Sequence, residues 1–168
     1  MPATTPASTD GHPRPRGAAW VFAQTLLLAA LVVIAPWLRG QWPPALSYGF
    51  GAVLVLYAAW GGLAGVRVLG RNRTPSPMPR AGSELVTTGI YARLRHPLYA
   101  SMMALGCGWA LLWSSTAGFA VALALTLFLH AKARSEETLL RAAFPGYADY
   151  ARRVPRYFPR FSKLAKSS

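Results

Sequence analysis

The sequence predicts an all-α integral membrane protein with about four transmembrane helices. Apolar residues make up 53% of the chain and charged residues only 14%, where a soluble domain has roughly a quarter. Four apolar stretches divide the chain, and its basic residues lie almost entirely between them. We therefore expect a single membrane domain over residues 18–168, preceded by a disordered tail at 1–17 whose prolines and small polar residues cannot bury apolar surface.

The four apolar stretches differ in length. Residues 18–38 and 45–66 each provide the ~20 residues that a helix needs to cross the hydrocarbon core. Residues 98–113 and 117–131 are shorter and fit buried or tilted spans. The first stretch follows two arginines, as a signal peptide would. Its apolar run is too long for one and no small-residue cleavage site follows, so we interpret it as a retained anchor.

The distribution of charge predicts the orientation. The net charge is +13, and 17 of the 18 Lys and Arg residues lie before the first stretch, between the second and third, or after the fourth. Only Arg39 lies on the other side. By the positive-inside rule, both termini and the connection at 67–97 are cytoplasmic. This placement of the basic residues favours a protein that faces anionic lipid and argues against a nucleic-acid-binding protein.

The segments between the spans predict a site loop and a surface helix. The connection at 67–97 begins with a proline-rich, extended segment at 70–79, and Gly89 beyond it can supply a positive φ or a close approach to a ligand. After the helical hairpin at 98–131, residues 132–168 should form a cytoplasmic helix and tail. The apolar spacing at 135–152 predicts an interfacial helix, with Ser135 as N-cap and a break at Pro145 and Gly146.

Two polar groups flank this hairpin at equal distances from its turn. If the chain turns near Ser114, Ser115 and Thr116, then His96 and Glu136 lie about twenty residues either side, both ~30 Å from the turn. They should therefore meet at one membrane face. Because Pro97 can open a helix, His96 is expected at an N-cap, where the helix dipole favours an anion.

The adjacent carboxylates of Glu136 and Glu137 need compensation, since like charges repel unless cations or hydrogen-bond donors neutralise them. Glu136 shares a helix face with Lys132 and should approach the histidine. Glu137 either joins this site or pairs with Arg141 at i,i+4 on a solvated helix.

Five other positions are given structural roles only. His130 is interpreted as a boundary residue, Gln24 as an interhelical hydrogen-bonding group, and Gly61, Gly62 and Gly65 as helix-packing positions. The single cysteine, Cys107, excludes an intrachain disulfide and a cysteine-based metal site.

These motifs together resemble a known family. Leu85-Val86, Gly89-x-Tyr91 and Arg95-His96-Pro97-x-Tyr99 are followed by Glu136-Glu137-x-x-Leu140, Phe144, Tyr147, Tyr150 and Val154-Pro155-Arg156. This ordered set, over residues 85–159, resembles the membrane methyltransferases that include isoprenylcysteine carboxyl methyltransferases and phospholipid N-methyltransferases. The resemblance implies transfer of a methyl group from S-adenosylmethionine to a lipophilic acceptor, either an isoprenylcysteine-like carboxylate or a phospholipid-type amine, with no metal.

The resemblance also implies site residues. Cofactor contacts carry over to Leu85, Val86, Tyr91, His96, Pro97, Tyr99, Glu136 and Glu137. Catalytic or acceptor-contacting roles carry over to Glu136 and Lys132, with Arg134 as a neighbouring cation. The family often has arginine at the position of Lys132 and commonly glycine at that of Ser101. The alternative function is a non-enzymatic membrane subunit or carrier in which the two motifs only cap a helical hairpin.

Overall fold

The computed structural model describes residues 16–70 and 85–159, and five α-helices form there. The helices are α1 (Arg16–Trp37), α2 (Gly51–Leu69), α3 (Pro97–Leu112), α4 (Thr116–Ala143) and α5 (Tyr147–Arg153). A π-helical turn (Ala45–Phe50) precedes α2, and a 3-10 helix (Gly89–Ala92) precedes α3. The predicted tail up to residue 15 and most of the proline-rich segment lie outside the described residues.

The helix lengths confirm an all-α membrane protein. Three segments are long and apolar enough to cross a membrane, namely Gly17–Trp37, Ser47–Leu69 and Thr116–Ala143. The remaining bundle helix, α3, has 16 residues and is apolar but shorter. Large apolar side chains such as Phe22 on α1 and Leu56 on α2 are 66% and 69% exposed, as expected for surfaces that face lipid.

Helices α2 and α3 pack closely because small residues line their contact. A Cβ atom at Gly61 would lie 2.7 Å from Ser101 Oγ, and one at Gly65 would lie 2.8 Å from Leu98 Cδ2. The predicted packing role is confirmed for these two glycines. A Cβ at Gly62 would meet only an ordinary contact at 3.9 Å. Lipid-embedded helices gain stability from such close approach, since no hydrophobic force drives them together.

The core lies between α1, α3 and α4. Leu31 of α1 is buried against Leu125 and Leu129 of α4, and side chains of α3 including Met102 and Met103 pack around them. This arrangement places α4 between the first helix and the third, so polar residues on its inward face are shielded from lipid.

The hairpin turn falls at the predicted place. Helix α3 ends at Leu112 and α4 begins at Thr116. The side chain of Ser115 caps α4 by accepting a hydrogen bond from the backbone N–H of Gly118 at 3.0 Å. His96 is the N-cap residue of α3, with Pro97 in its first turn, also as predicted.

Helix α4 corrects the expected break after residue 131. It runs without interruption through residues 132–143, so Ser135 is an interior residue and the predicted N-cap there is wrong. The physical reason is that this segment contains no glycine or proline, and its buried and half-buried charged side chains, those of Lys132, Glu136 and Glu137, find partners in the protein. The helix ends at Phe144, whose extended backbone is favoured by the proline that follows. The C-terminal helix is therefore short and begins at Tyr147.

The chain after α5 folds back against the segment that precedes α3. The backbone N–H groups of Arg95 and His96 donate to the carbonyls of Pro155 and Arg156 at 2.9 and 3.0 Å. The Tyr150 hydroxyl donates to the Tyr91 carbonyl at 2.7 Å. We refer to residues 154–159 as the C-terminal strap. Its backbone hydrogen bonds connect the C-terminal motif to the motif that precedes α3.

Candidate functional site

His96 lies at the centre of a buried polar cluster on one end of the helix bundle. Its side chain is 6% exposed, and its Nε2 lies 3.1 Å from Glu137 Oε1. Its Nδ1 lies 3.7 Å from Glu136 Oε2. An ionised carboxylate can only accept hydrogen bonds, so Nε2 carries the proton that it donates to Glu137. The predicted meeting of the two motifs across the hairpin is confirmed.

Glu137 anchors the strap rather than pairing along its own helix. Its carboxylate accepts two hydrogen bonds from Arg156, from Nε at 2.8 Å and from Nη2 at 2.7 Å. Arg95 Nη1 lies 3.4 Å from the same carboxylate. The alternative pairing with Arg141 is therefore wrong. The side chain of Glu137 is 3% exposed, and a buried carboxylate requires this compensation. The hydrogen bonds to Glu137 raise the pKa of Arg156, which stays charged.

Glu136 is the accessible member of the carboxylate pair, with 21% of its side chain exposed. Its Oε2 accepts a hydrogen bond from the Tyr99 hydroxyl at 3.0 Å. The rings of His96 and Tyr99 stack, with centroids 5.3 Å apart and planes within 3°. The same Oε2 lies 3.7 Å from His96 Nδ1. The side chains of His96 and Tyr99, at the start of α3, therefore orient the carboxylate of Glu136.

Lys132 extends the cluster into the bundle. Its side chain is almost completely buried, and its Nζ donates to Gln24 Oε1 on α1 at 2.7 Å. The same ammonium lies 5.6 Å from the centroid of the Tyr99 ring, within range of a cation–π interaction. The interhelical role predicted for Gln24 is confirmed. Lys132 and Glu136, one helical turn apart, both contact Tyr99.

Proteins similar to this chain include one family and two named relatives. A family model described as phospholipid methyltransferase matches residues 46–146, which contain α2, α3, α4, the motif before α3 and the carboxylate pair Glu136-Glu137. The chain belongs to this family. Two curated relatives carry names from metal resistance. One, the nickel-cobalt-cadmium resistance protein NccN of Alcaligenes xylosoxydans xylosoxydans, is 45% identical over 53% of this chain and 42% of its own length.

The other relative is the cobalt-zinc-cadmium resistance protein CzcN of Cupriavidus metallidurans. It is 35% identical over 89% of this chain and 66% of its own length. The chain therefore spans less than two thirds of either relative. Within residues 16–70 and 85–159, no group of three or more His, Cys, Asp or Glu side chains is arranged to hold a metal ion.

The other residues that the family resemblance implies for the site differ in burial and orientation. Pro97 and Tyr91 are buried next to His96, whereas Leu85 and Val86 are half-buried in an extended segment before the 3-10 helix. Arg134 is exposed. Two residues along a helix correspond to a rotation of about 200°, so Arg134 faces away from the side of α4 that carries Lys132. The structure does not bring Arg134 to the cluster.

Gly89 explains how the 3-10 helix reaches the site. Its φ is +59°, a left-handed conformation that glycine adopts without strain, and a Cβ there would lie 2.7 Å from Val68 Cγ2. The loop therefore turns tightly over the end of α2. This confirms the predicted positive φ. The close approach found is to Val68 of α2, and an approach to a ligand stays a prediction.

The tyrosines around the strap remain neutral hydrogen-bonding groups. Burial raises the pKa of Tyr157 to about 12 and that of Tyr150 to about 12. Burial, reinforced by the negative charge of Glu136, also raises the pKa of Tyr91. Their hydroxyl protons are therefore retained across the physiological range. Tyr157 also contacts His130, its hydroxyl 3.4 Å from Nδ1, in agreement with the structural role expected for that histidine.

Sequence reasoning missed three pairings that complete the cluster. Arg95 and Arg156 neutralise Glu137, and Gln24 holds Lys132. The signal for the arginines was the carboxylate pair itself, because two adjacent acids in a chain with only five require cations nearby. Gln24 was expected to bond between helices, but no local pattern identifies Lys132 as its partner, since the two residues lie 108 positions apart in sequence.

Proposed function

We propose that this protein transfers the methyl group of S-adenosylmethionine to a lipophilic acceptor that enters from the membrane. The observation that carries the proposal is the convergence of His96, Tyr99 and Glu136, from two helices, into one polar cluster at the end of a lipid-embedded bundle. Membership of the phospholipid methyltransferase family supports the reaction class. A helix cap alone does not need a partly accessible carboxylate held by a tyrosine from another helix.

The chemistry of the donors fits the cofactor. The accessible carboxylate of Glu136 suits an ammonium group or ribose hydroxyls, and the first turn of α3 beside His96 suits a carboxylate. The half-buried Leu85 and Val86 offer an apolar wall. When bound, S-adenosylmethionine supplies a methyl group on a sulfonium, and the carbon–sulfur bond breaks as the acceptor's lone pair forms the new bond. Glu137 acts indirectly, by holding His96 and the strap.

Residues of this chain would contribute mainly by orienting groups and excluding water. Tyr99 fixes Glu136 from one side, and the buried Lys132 presents a cation next to it. An anionic acceptor would gain from Lys132 and needs no base. An amine acceptor must lose a proton, and Glu136 is the accessible carboxylate that could accept it. We assign Arg134 no role in this proposal, because it faces away.

We further propose that the site faces the cytoplasm. The cluster lies at the bundle end from which the connection at 67–97 and residues after 143 emerge, and these segments carry most of the basic residues. The positive-inside rule supports this orientation. A cytoplasmic site would have direct access to a nucleotide-derived cofactor. Single-cysteine labelling at Gln41 and Arg141 in sealed cells would test it, since the two positions should label from opposite sides.

The relatives add a physiological expectation. Because the names of both relatives refer to resistance to cobalt and cadmium, we propose that methylation by this protein contributes to metal resistance in its host. A strain lacking the gene would be complemented with wild type and with Glu136→Gln. Equal metal tolerance of the two complemented strains would show that resistance does not depend on Glu136.

Calorimetry of the full chain in detergent tests the site directly. We expect S-adenosylmethionine and its demethylated product to bind wild type, and His96→Ala and Glu136→Gln to weaken binding by at least tenfold. Glu136→Gln removes the carboxylate that meets the ligand, and His96→Ala removes the side chain that positions both carboxylates. Asp149→Asn is the matched control, because it removes an exposed carboxylate outside the cluster. Absence of binding to folded wild type would sink the enzyme assignment, and normal affinity in both variants would refute the assigned residues.

The acceptor can be found by transfer of label. Membrane extracts are incubated with protein and methyl-labelled cofactor, and labelled products are separated by class. A labelled phospholipid amine or a labelled carboxyl ester would each define the acceptor. Extracts treated with Glu136→Gln provide the background.

A further inference from the structure

We propose a second binding site, at the opposite end of the bundle, for the phosphate group of a membrane phospholipid. A cavity of about 350 Å³ opens there, and its lining includes Arg39, Tyr48, Trp109 and Trp113. This volume lies at the lower end of the range found for small-molecule sites, ~300–1,000 Å³. The cavity lies a full length of α3 away from His96, so it is separate from the methyl-transfer site.

The walls of the cavity are held together by polar contacts between distant parts of the chain. The backbone N–H of Gly40 donates to the Ser114 carbonyl at 3.2 Å, and the hydroxyls of Ser47 and Ser114 lie 2.8 Å apart. The Ser115 hydroxyl donates to the Leu38 carbonyl at 2.8 Å. These bonds join the connection between α1 and α2 to the α3–α4 turn. The site is therefore preformed.

Arg39 has no ion-pair partner among residues 16–70 and 85–159. It is the single charged residue in the sequence from 38 to 50, and no acidic residue occurs in 113–116. An arginine at a membrane boundary binds phosphate oxygens well, because its planar guanidinium can donate two parallel hydrogen bonds.

Trp109 supplies an unpaired donor next to the cavity. Its indole Nε1 is buried and has no hydrogen-bond partner among the described residues. An indole N–H can only donate, so the group that satisfies it must be an acceptor. A buried donor left unpaired is costly, and buried polar groups nearly always have a partner. The ring of Trp109 lines the cavity, so a small shift of the ring would bring this donor to a ligand there, beside Arg39 and the hydroxyl of the exposed Tyr48.

The surroundings favour a lipid as the source of this phosphate. Phe50 and Val53, just beyond the cavity along α2, are each 62% exposed apolar residues where acyl chains could lie. Trp113 beside the cavity is typical of the headgroup level, where an indole meets both apolar and polar surroundings. A phosphodiester held by Arg39 and Trp109 would thus leave its acyl chains within the bilayer.

Native mass spectrometry of the full chain, reconstituted with defined lipids, tests the proposal. The probes are dioleoylphosphatidylglycerol, dioleoylglycerol without phosphate, and glycerol phosphate without acyl chains. We expect the phospholipid to bind at least tenfold more tightly than either of the others. Arg39→Gln and Trp109→Phe should each weaken phospholipid binding roughly 10- to 100-fold, as for loss of a hydrogen bond to a charged group.

The matched controls make the same types of substitution at positions outside the cavity. Arg67→Gln removes an exposed arginine from the end of α2 on the site face, and Trp60→Phe removes an indole N–H from a lipid-exposed position. Neither should change binding. Phospholipid affinity in Arg39→Gln and Trp109→Phe equal to that of the controls would overturn the proposal, and so would equal binding of dioleoylglycerol or glycerol phosphate. Melting curves identify a misfolded variant, and Arg39→Gln alters only an exposed side chain.

Discussion

Arg156→Gln should loosen the C-terminal strap while leaving the helix bundle intact. The substitution removes both hydrogen bonds that Arg156 donates to Glu137, a side chain only 3% exposed. Leaving a buried carboxylate without its partner costs roughly 3–5 kcal/mol. Arg156 itself is 29% exposed, and Arg95 and His96 remain near the carboxylate, so the expected cost is lower, about 2 kcal/mol.

This cost can be measured where the strap meets the rest of the protein. The backbone N–H groups of Arg95 and His96 donate to strap carbonyls, so they exchange with solvent only when the strap opens. A loss of about 2 kcal/mol raises the open population, and hence the exchange rate, roughly 30-fold. Hydrogen exchange of the full chain in detergent resolves this region. The amide of Phe119, at the other end of α4, should be unaffected.

Arg152→Gln is the matched control for this prediction. Arg152 also pairs with a carboxylate, that of Asp149, but the two side chains are 78% and 64% exposed. Exposed pairs contribute between zero and about 1 kcal/mol, so exchange should change less than fivefold. Exchange in Arg156→Gln within threefold of wild type would refute the claim that the buried pair holds the strap. So would equal effects of the two substitutions.

Three further substitutions test the site and the bundle. Tyr99→Phe removes the hydrogen bond to Glu136 but keeps the stacked ring, so cofactor affinity measured by calorimetry should fall about tenfold. Gln24→Leu removes an acceptor from the buried ammonium of Lys132 and should reduce stability by about 1–3 kcal/mol, seen as a lower thermal midpoint. Gly108→Ala forces a Cβ to within 3.0 Å of backbone and side-chain atoms of α2, and should reduce stability by about 1–3 kcal/mol.

Each of these substitutions has a control in the chain. Tyr57→Phe alters an exposed tyrosine on α2 and should not change cofactor affinity. Gln41→Leu alters an exposed glutamine outside the helices. Gly49→Ala introduces a Cβ with no atom within 4 Å. A test substitution that behaves like its control would contradict the contact on which that prediction rests.

Most of the fold could be predicted because a bilayer imposes simple rules on sequence. Long apolar stretches predicted the spans, and the short polar gap at Ser114 and Ser115 predicted the turn. The meeting of His96 with Glu136 followed from equal distances to that turn along two helices. These are properties of local sequence and helix geometry, and the structure agrees with them.

The end of α4 and the strap could not be predicted in the same way. Hydropathy falls at Lys132, and this fall suggested that the helix ends there. Helix α4 nevertheless continues, because its side chains contact partners that are distant in sequence. Arg156 lies among cations and aromatic residues, a local pattern that indicates only a segment on a lipid surface. Its preference for Glu137 arises only after the chain has folded back, which no local pattern encodes.

The short length of α3 affects the bilayer around the bundle. With 16 residues, α3 is about 24 Å long, which is less than the ~30 Å thickness of the hydrocarbon layer. A bilayer accommodates a short span by local thinning or by snorkelling of the flanking residues. We therefore expect the bilayer to be thinner beside α3 than beside the 28-residue α4. On the proposed function, this thinning would bring lipid headgroups close to His96.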